Sequence, residues 1–367
     1  MRTTVIHALD DVPFLGNAEK RNLSEAAYRF GFLSNDYYLS LIDPADPSDP
    51  IRRLIVPSPR ETEAWGREDA SNEGAYTVLP GVQHKYPTTV LLLVCDQCAG
   101  LCRYCFRKRI FSTSRNEILK DIPAAVDYIR SHREITNVLL TGGDPLMLST
   151  PQLDAILANI APIEHVRIIR IGTKIPAFNP YRILDDTGLV HMIERHTSEK
   201  ARVYIMTHFD HPREITPAAV RAVERLQKAG AILTNQHPLI RGINDDPKVL
   251  ATLWRTLSFI GIAPYYVFQC RPVRGNKSYS VPIEEGYTIV EQARSMISGL
   301  AKRALFVMSH TTGKIEIVGK TAERIYFKYH RAANDADSGR FMVFKCNPKA
   351  YWFDDYDEVI YDYPVDQ

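Results

Sequence analysis

Four cysteines stand close together in the stretch TTVLLLVCDQCAGLCRYCFRKRI, residues 88–110: Cys95, Cys98, Cys102 and Cys105. The last three are spaced C-x3-C-x2-C. Three thiolates on so short a loop suit a [4Fe–4S] cluster, because soft sulfur ligands hold iron and three ligands on four irons leave one iron open to a small chelating molecule. A structural zinc site would want four closed ligands, often as paired knuckles, yet downstream Cys270 and Cys346 stand alone. A disulfide framework belongs to short secreted domains. A protein that only carries electrons wants every iron held by protein, and the motif has no fourth cysteine beside it; Cys95 reads as a small buried residue at a strand end. Arg103, Arg107, Lys108 and Arg109 lie among and just after the ligands, either as anion partners or as a solvated basic face.

What must position such a loop is the apolar, β-branched run before it, 88–94, which reads as a buried strand. Five more strand-like runs follow: NVLLTGG (137–143), HVRIIRIGT (165–173), ARVYIMTHF (201–209), AILTNQ (231–236) and APYYVFQC (263–270). Helical stretches separate them, with Thr150 and Thr216 before prolines as expected N-caps and Gly230 and Gly261 at helix ends. Six strand–helix units predict parallel strands with right-handed crossovers, an α/β fold built as a partial (β/α)6-type TIM barrel. A doubly wound sheet is the weaker reading, since no G-x-G-x-x-G follows the first strand. Polar residues gather where strands end: Gly142, Gly143 and Asp144; Thr207 to His211; Gln236; Cys270 and Arg271. In a barrel they would share one rim. Residues 1–85 are expected to form a helical extension, with Ser24 and Ser34 or Asn35 as caps, 86–300 the barrel, and 301–367 a small β-rich unit.

Composition narrows the function classes. The chain has 367 residues, 45% hydrophobic and 24% charged, with a formal charge of +2, which gives no bulk reason to expect nucleic acid or a membrane as partner. No apolar run approaches the ~20 residues of a membrane span. The opening MRTTVIHALDDVPF lacks the apolar core of a secretion signal, so a cytoplasmic setting is expected, one that also suits an oxygen-sensitive cluster.

The cysteine spacing resembles the signature of the radical S-adenosylmethionine (SAM) superfamily. Over roughly residues 36–300 the chain resembles, more narrowly, the lysine 2,3-aminomutase family, through DYYLSLIDPADPSDPIRR, PGVQHKYP, DQCAGLCRYCFRKRIF, LLTGGDPLML, RIGTKIPAFNPYRI, THFDHPREIT, NQHPLIRGIND and PYYVFQC. That resemblance implies a [4Fe–4S] cluster, SAM and pyridoxal phosphate (PLP). In the family a radical made from SAM takes a β-hydrogen from an amino acid held on PLP, and the amino group migrates from the α to the β carbon. It implies Cys98, Cys102 and Cys105 as cluster ligands and Tyr104 beside the adenine. Gly142, Gly143 and Asp144 match the turn that meets the SAM amino group, and Arg170 and Gln236 match positions near the SAM tail or ribose. Arg107 matches the partner of the substrate carboxylate. A small-molecule substrate, an electron donor such as flavodoxin or ferredoxin, and a homo-oligomer are the partners expected.

The chain departs from that pattern where PLP and the substrate side chain bind. Two arginines that grip the PLP phosphate in the family are Lys85 and Thr89 here; Lys85 keeps a point charge and Thr89 has none. The aspartate that receives a lysine side chain is Arg271, and the second has no counterpart nearer than Met308 and Ser309. Arg271 would repel an ammonium and attract an anion, so free lysine is not the expected substrate. The PLP lysine is either Lys314 or Lys320, or is deleted, depending on the alignment of SHTTGKIEIVGKT. The expected function is therefore a radical SAM 2,3-aminomutase acting on an amino acid other than free lysine. The alternative is a PLP-independent radical SAM enzyme on a substrate that the sequence leaves undetermined, held by Arg107 and Arg271 if it is an anion.

Overall fold

The computed structural model describes residues 3–112 and 117–363. Two short strands, β1 (Val5–Ile6) and β2 (Ser34–Asn35), pair with each other. All other strands of the described residues lie in one thirteen-stranded sheet, hydrogen-bonded in sequence order. It begins with β3 (Thr77–Leu79), β4 (Val82–Tyr86), β5 (Thr89–Cys95), β6 (Asn137–Gly142) and β7 (Ile168–Thr173). It continues through β8 (Arg202–Thr207), β9 (Ile232–Leu239), β10 (Ala263–Gln269) and β11 (Leu305–His310). It ends with β12 (Gly313–Lys320), β13 (Arg324–Ala332), β14 (Phe341–Lys345) and β15 (Val359–Tyr363).

Strands β5 to β11 run parallel, each joined to the next by a helical crossover. All six expected strands are among them. The seventh, β11, continues the parallel set, although LFVMSH reads like the alternating strands after it. Helix Ile283–Ser295 carries the chain back so that β11 lands beside β10 in the same direction. Beyond β11 the order is antiparallel through β15, and the β3–β4 hairpin adds antiparallel to the other side of β5. The lead segment is thus not only helical: it ends in strands, and Lys85 sits on β4.

Side chains alternate across the parallel strands, as the pleat demands. Val138 and Leu140, Ile169 and Ile171, and Val203 and Ile205 are fully buried toward the helices. The residues between them, among them Thr141 and Arg170, face the other way. That inner face is curved. Neighbouring strands lie about 4.8 Å apart, so the eight steps from β5 to β13 would span roughly 38 Å if the sheet were flat. Yet Arg331 on β13 hydrogen-bonds Thr89 on β5 at 3.0 Å. The sheet is rolled round an interior into which both strands project, and β5 and β13 do not pair as strands.

Local signals hold with small corrections. Thr216 caps its helix by accepting from Ala219 N–H at 3.1 Å, and Gly230 and Gly261 are left-handed, at φ 83° and 77°. Ser149, not Thr150, precedes helix Thr150–Ile160, with Gln152 completing a capping box. Asn35 caps helix Asp36–Leu39, while Ser24 lies inside helix Asn17–Phe30 and bonds back to Arg21 O.

Candidate active site

The cysteine loop leaves β5 at Cys95, whose sulfur accepts the Gln97 N–H at 3.3 Å. The end of β6 is laid directly against it. Gly143 N–H donates to Cys95 O at 2.5 Å, and Asp144 N–H donates to Gln97 O at 2.7 Å. A Cβ on Gly142, at φ 118°, would stand 2.4 Å from Cys95 O, and one on Gly143 would stand 2.4 Å from Gln97 O. Both glycines are required because two backbones touch there. The Asp144 carboxylate is occupied by Leu146 N–H, Lys174 N–H and Thr173 Oγ1–H, at 3.0, 2.7 and 2.9 Å. Burial raises its pKa to about 6 against those bonds.

Burial also pushes the thiols of Cys98, Cys102 and Cys105 up, Cys102 to about 12, and the negative charge of the neighbouring thiols adds to it at Cys98 and Cys102. Thiols so placed ionise only when a metal takes the proton's place, which is what bound iron does. Among the described residues no three Cys, His, Asp or Glu side chains form ready ligands of a single ion. Three grouped thiols on one loop, pinned by a glycine turn, fit a cluster with one open iron.

The residues on the loop are held from behind. Tyr104 is buried, with its hydroxyl donating to Asp210 Oδ2 at 2.5 Å and lying 2.9 Å from His208 Nε2. Its ring stacks on His208 at 5.9 Å. Lys174 also binds Asp210, at 2.6 Å, and Glu214 at 2.7 Å. Although burial opposes it, these two carboxylates hold the ammonium well above its usual range.

The basic cluster is neither a solvated face nor free. Arg103 is 1% exposed and paired through two nitrogens with the buried Glu61, at 3.0 and 2.7 Å. Arg107 gives Nε and Nη2 to Glu73, at 3.2 and 2.8 Å, and its Nη1 to Thr141 Oγ1 at 3.0 Å. Arg109 shares Glu73 at 2.5 Å and reaches Glu117. Glu61 and Glu73 come from the proline-punctuated lead segment, in which the sequence singles out no chemistry. They strap that segment onto the cysteine loop.

A second group of cations lines the interior with no carboxylate among the described residues to pair with: Lys85, Arg170, Arg271, Lys314 and Arg331. Arg271 lies with its guanidinium 3.7 Å from the Phe106 ring centroid, and its buried Nη1 has no hydrogen-bond partner among the described residues. Burial lowers its pKa to about 10, with Glu73 as the nearest relief. Lys314 lies over the rings of Tyr266 and Phe268, at 4.1 and 5.5 Å. Burial, then Arg170, Arg271, Arg331 and Lys85 in turn, bring its pKa down to about 7. Lys85 donates to His310 O at 2.5 Å and is lowered to about 8, by burial and then by Arg271. Arg170 donates to Asn137 Oδ1 at 2.8 Å and lies in the field of Arg331, placing it with this group. Gln236 is half-buried on β9. The other candidate lysine, Lys320, is tied to the buried Glu284 at 2.9 Å. A deprotonatable lysine among unneutralised cations fits PLP, an aldehyde that carries a phosphate dianion.

Arg331 was invisible to alternation. It shares parity with the core residues Ile325, Phe327 and Tyr329, and a bulge opposite Lys314 and Ile315 turns it to the face of Lys314.

Comparison with known proteins follows the same lines. Residues 92–253 match the Radical SAM superfamily. A protein of Aquifex aeolicus named "Putative L-lysine 2,3-aminomutase" is 53% identical over 97% of this chain and 94% of its own. The L-lysine 2,3-aminomutase of Clostridium subterminale is 38% identical over 78% of this chain and 68% of its own. The glutamate 2,3-aminomutase of Clostridioides difficile is 37% identical over 82% and 70%. With a cluster loop, a glycine turn against it, and similarity at this level over nearly the whole chain, the protein belongs to the lysine 2,3-aminomutase family of radical SAM enzymes.

Proposed function

We propose that the chain is a PLP-dependent 2,3-aminomutase whose substrate is an α-amino acid with an anionic side chain. The cluster and SAM that the superfamily implies supply a hydrogen-abstracting radical, and PLP, when bound, supplies the π system across which an amino group can move. The rolled sheet is read as a partial (β/α)6-type barrel, with its chemistry on loops that follow the strands.

The observation that carries the reading is Lys314. Its ammonium is destabilised by burial and four cations until it gives up its proton near pH 7. That is the state a lysine needs to attack an aldehyde. Arg271 supports the substrate side of the proposal. Its unpartnered Nη1 is desolvated against Phe106, so a carboxylate there gains a charge-assisted bond and an ammonium meets repulsion. Arg107 keeps Nη1, which among the described residues bonds only the neutral Thr141 hydroxyl, for the α-carboxylate. The similarity to an enzyme named for glutamate is consistent with this choice.

The test is direct. Anaerobically reconstituted protein, supplied with PLP, SAM and a reductant, is offered glutamate, aspartate and lysine, and β-amino products are read by mass spectrometry. Conversion of an acidic amino acid with none of lysine is expected. Conversion of lysine alone would overturn the substrate assignment.

A further inference from the structure

We infer that Arg331 is the phosphate-gripping arginine of this chain, standing in for the charge that Thr89 lacks. The inference rests on the reading that Lys314 carries PLP.

Four observations converge on it. Arg331 and Lys314 are directly opposite each other on β13 and β12, so their side chains leave one face side by side. Directly opposed residues have Cβ atoms about 5 Å apart. PLP bears its aldehyde and its phosphate arm on adjacent ring carbons, so the lysine and the phosphate ligand must be near neighbours. The Arg331 guanidinium then reaches across the interior to Thr89 Oγ1 at 3.0 Å and to Thr88 Oγ1. It thus delivers a charge to the place on β5 where the family resemblance calls for an arginine. It lies over the Tyr86 ring at 4.5 Å, next along the chain from Lys85, whose ammonium lies 5.6 Å from the same ring. Finally, among the described residues its guanidinium bonds the neutral Thr88 and Thr89 hydroxyls and pairs with no carboxylate. Hydroxyls are the partners a fork donor can keep while it also binds an anion, and they can bond the anion themselves.

An arginine gathered with like charges and paired with no carboxylate among the described residues destabilises the PLP-free protein. A phosphate dianion between Arg331 and Lys85, with the Thr88 and Thr89 hydroxyls, relieves that repulsion and satisfies the fork.

The test compares PLP with pyridoxal, which has the aldehyde and no phosphate. Wild type, Arg331→Met and Arg331→Lys are titrated with each, following absorbance of the covalent adduct. Inorganic phosphate binding is measured alongside by calorimetry. Wild type is expected to prefer PLP, and Arg331→Met to lose about 10- to 100-fold of that preference while its pyridoxal affinity holds. Arg331→Lys should recover part of it. Inorganic phosphate should bind wild type and not Arg331→Met, whose melting temperature without ligand should equal or exceed that of wild type. An unchanged preference and unchanged phosphate binding in Arg331→Met would overturn the inference. If instead no adduct forms in wild type while phosphate binding still depends on Arg331, the Lys314 reading fails and the phosphate site stands.

Discussion

Glu73 and Arg107 form a two-point ion pair, Oε2 to Nε at 3.2 Å and Oε1 to Nη2 at 2.8 Å, that ties the lead segment to the cysteine loop. Burial alone would raise the Glu73 pKa, but Arg107, then Arg271 and Arg109, hold it well below the carboxylate range. A depressed carboxylate contributes stability above its unfolded pKa and loses it only as pH falls through the folded value, so this pair is intact across the neutral range.

Glu73→Gln should therefore be costly at pH 7. It leaves Arg107 and Arg109 without their shared carboxylate and takes away the negative charge that relieves Arg271 from a distance, and breaking one partner of a buried pair costs about 3–5 kcal/mol. Chemical denaturation should report a loss of that size, and added phosphate should restore part of it. A change below about 1 kcal/mol would show that the pair does not hold the segment down.

Cluster assembly should depend on the glycine turn. Gly143→Ala places a methyl 2.4 Å from Gln97 O, backbone against backbone, so the cysteine loop must shift. Such overpacking costs about 1–3 kcal/mol. Iron and sulfide per chain after anaerobic reconstitution should fall several-fold relative to wild type, with Gly172→Ala as control, since its Cβ would meet nothing closer than 3.7 Å. Equal iron in both variants would remove the turn from the cluster's support.

The Lys314 amine gives a pH signature. With its pKa at about 7, the neutral amine predominates above that pH, whereas an ordinary lysine becomes neutral only near pH 10.5. The rate at which PLP-free protein takes up PLP should rise to a plateau near pH 7 to 8. A rate still climbing tenfold per unit at pH 9 would mean an ordinary lysine.

Arg271 should set side-chain preference. Arg271→Met removes a buried guanidinium nitrogen that has no partner among the described residues. The KM for an acidic substrate should rise about 10- to 100-fold, the loss of a charge-assisted bond, with a smaller effect on a neutral amino acid of similar size. Equal effects on both would assign Arg271 to the fold.

The repeat of β-branched runs and capped helices makes β5 to β10 legible in the sequence, because burial on one face forces periodicity. The cysteine spacing and the glycine turn are legible for a similar reason: each is local. What escapes is what folding brings together from afar. Glu73 lies in a stretch with no periodic signal and meets Arg107 only once the segment docks. Lys314 and Lys320 have similar neighbours in the sequence, and only the strand register places one beside Tyr266 and the other on Glu284. Arg331 reaches the interior through a bulge that breaks its own alternation. Arg107 is legible as an anion partner, but its carboxylate in the fold is the chain's own.

The measurement that bears most directly on the account is borohydride reduction of PLP-loaded protein followed by peptide mass spectrometry. The account predicts a pyridoxyl group fixed on Lys314. A pyridoxyl group on Lys320, or unmodified peptides at both positions from protein made with ample PLP, would contradict it.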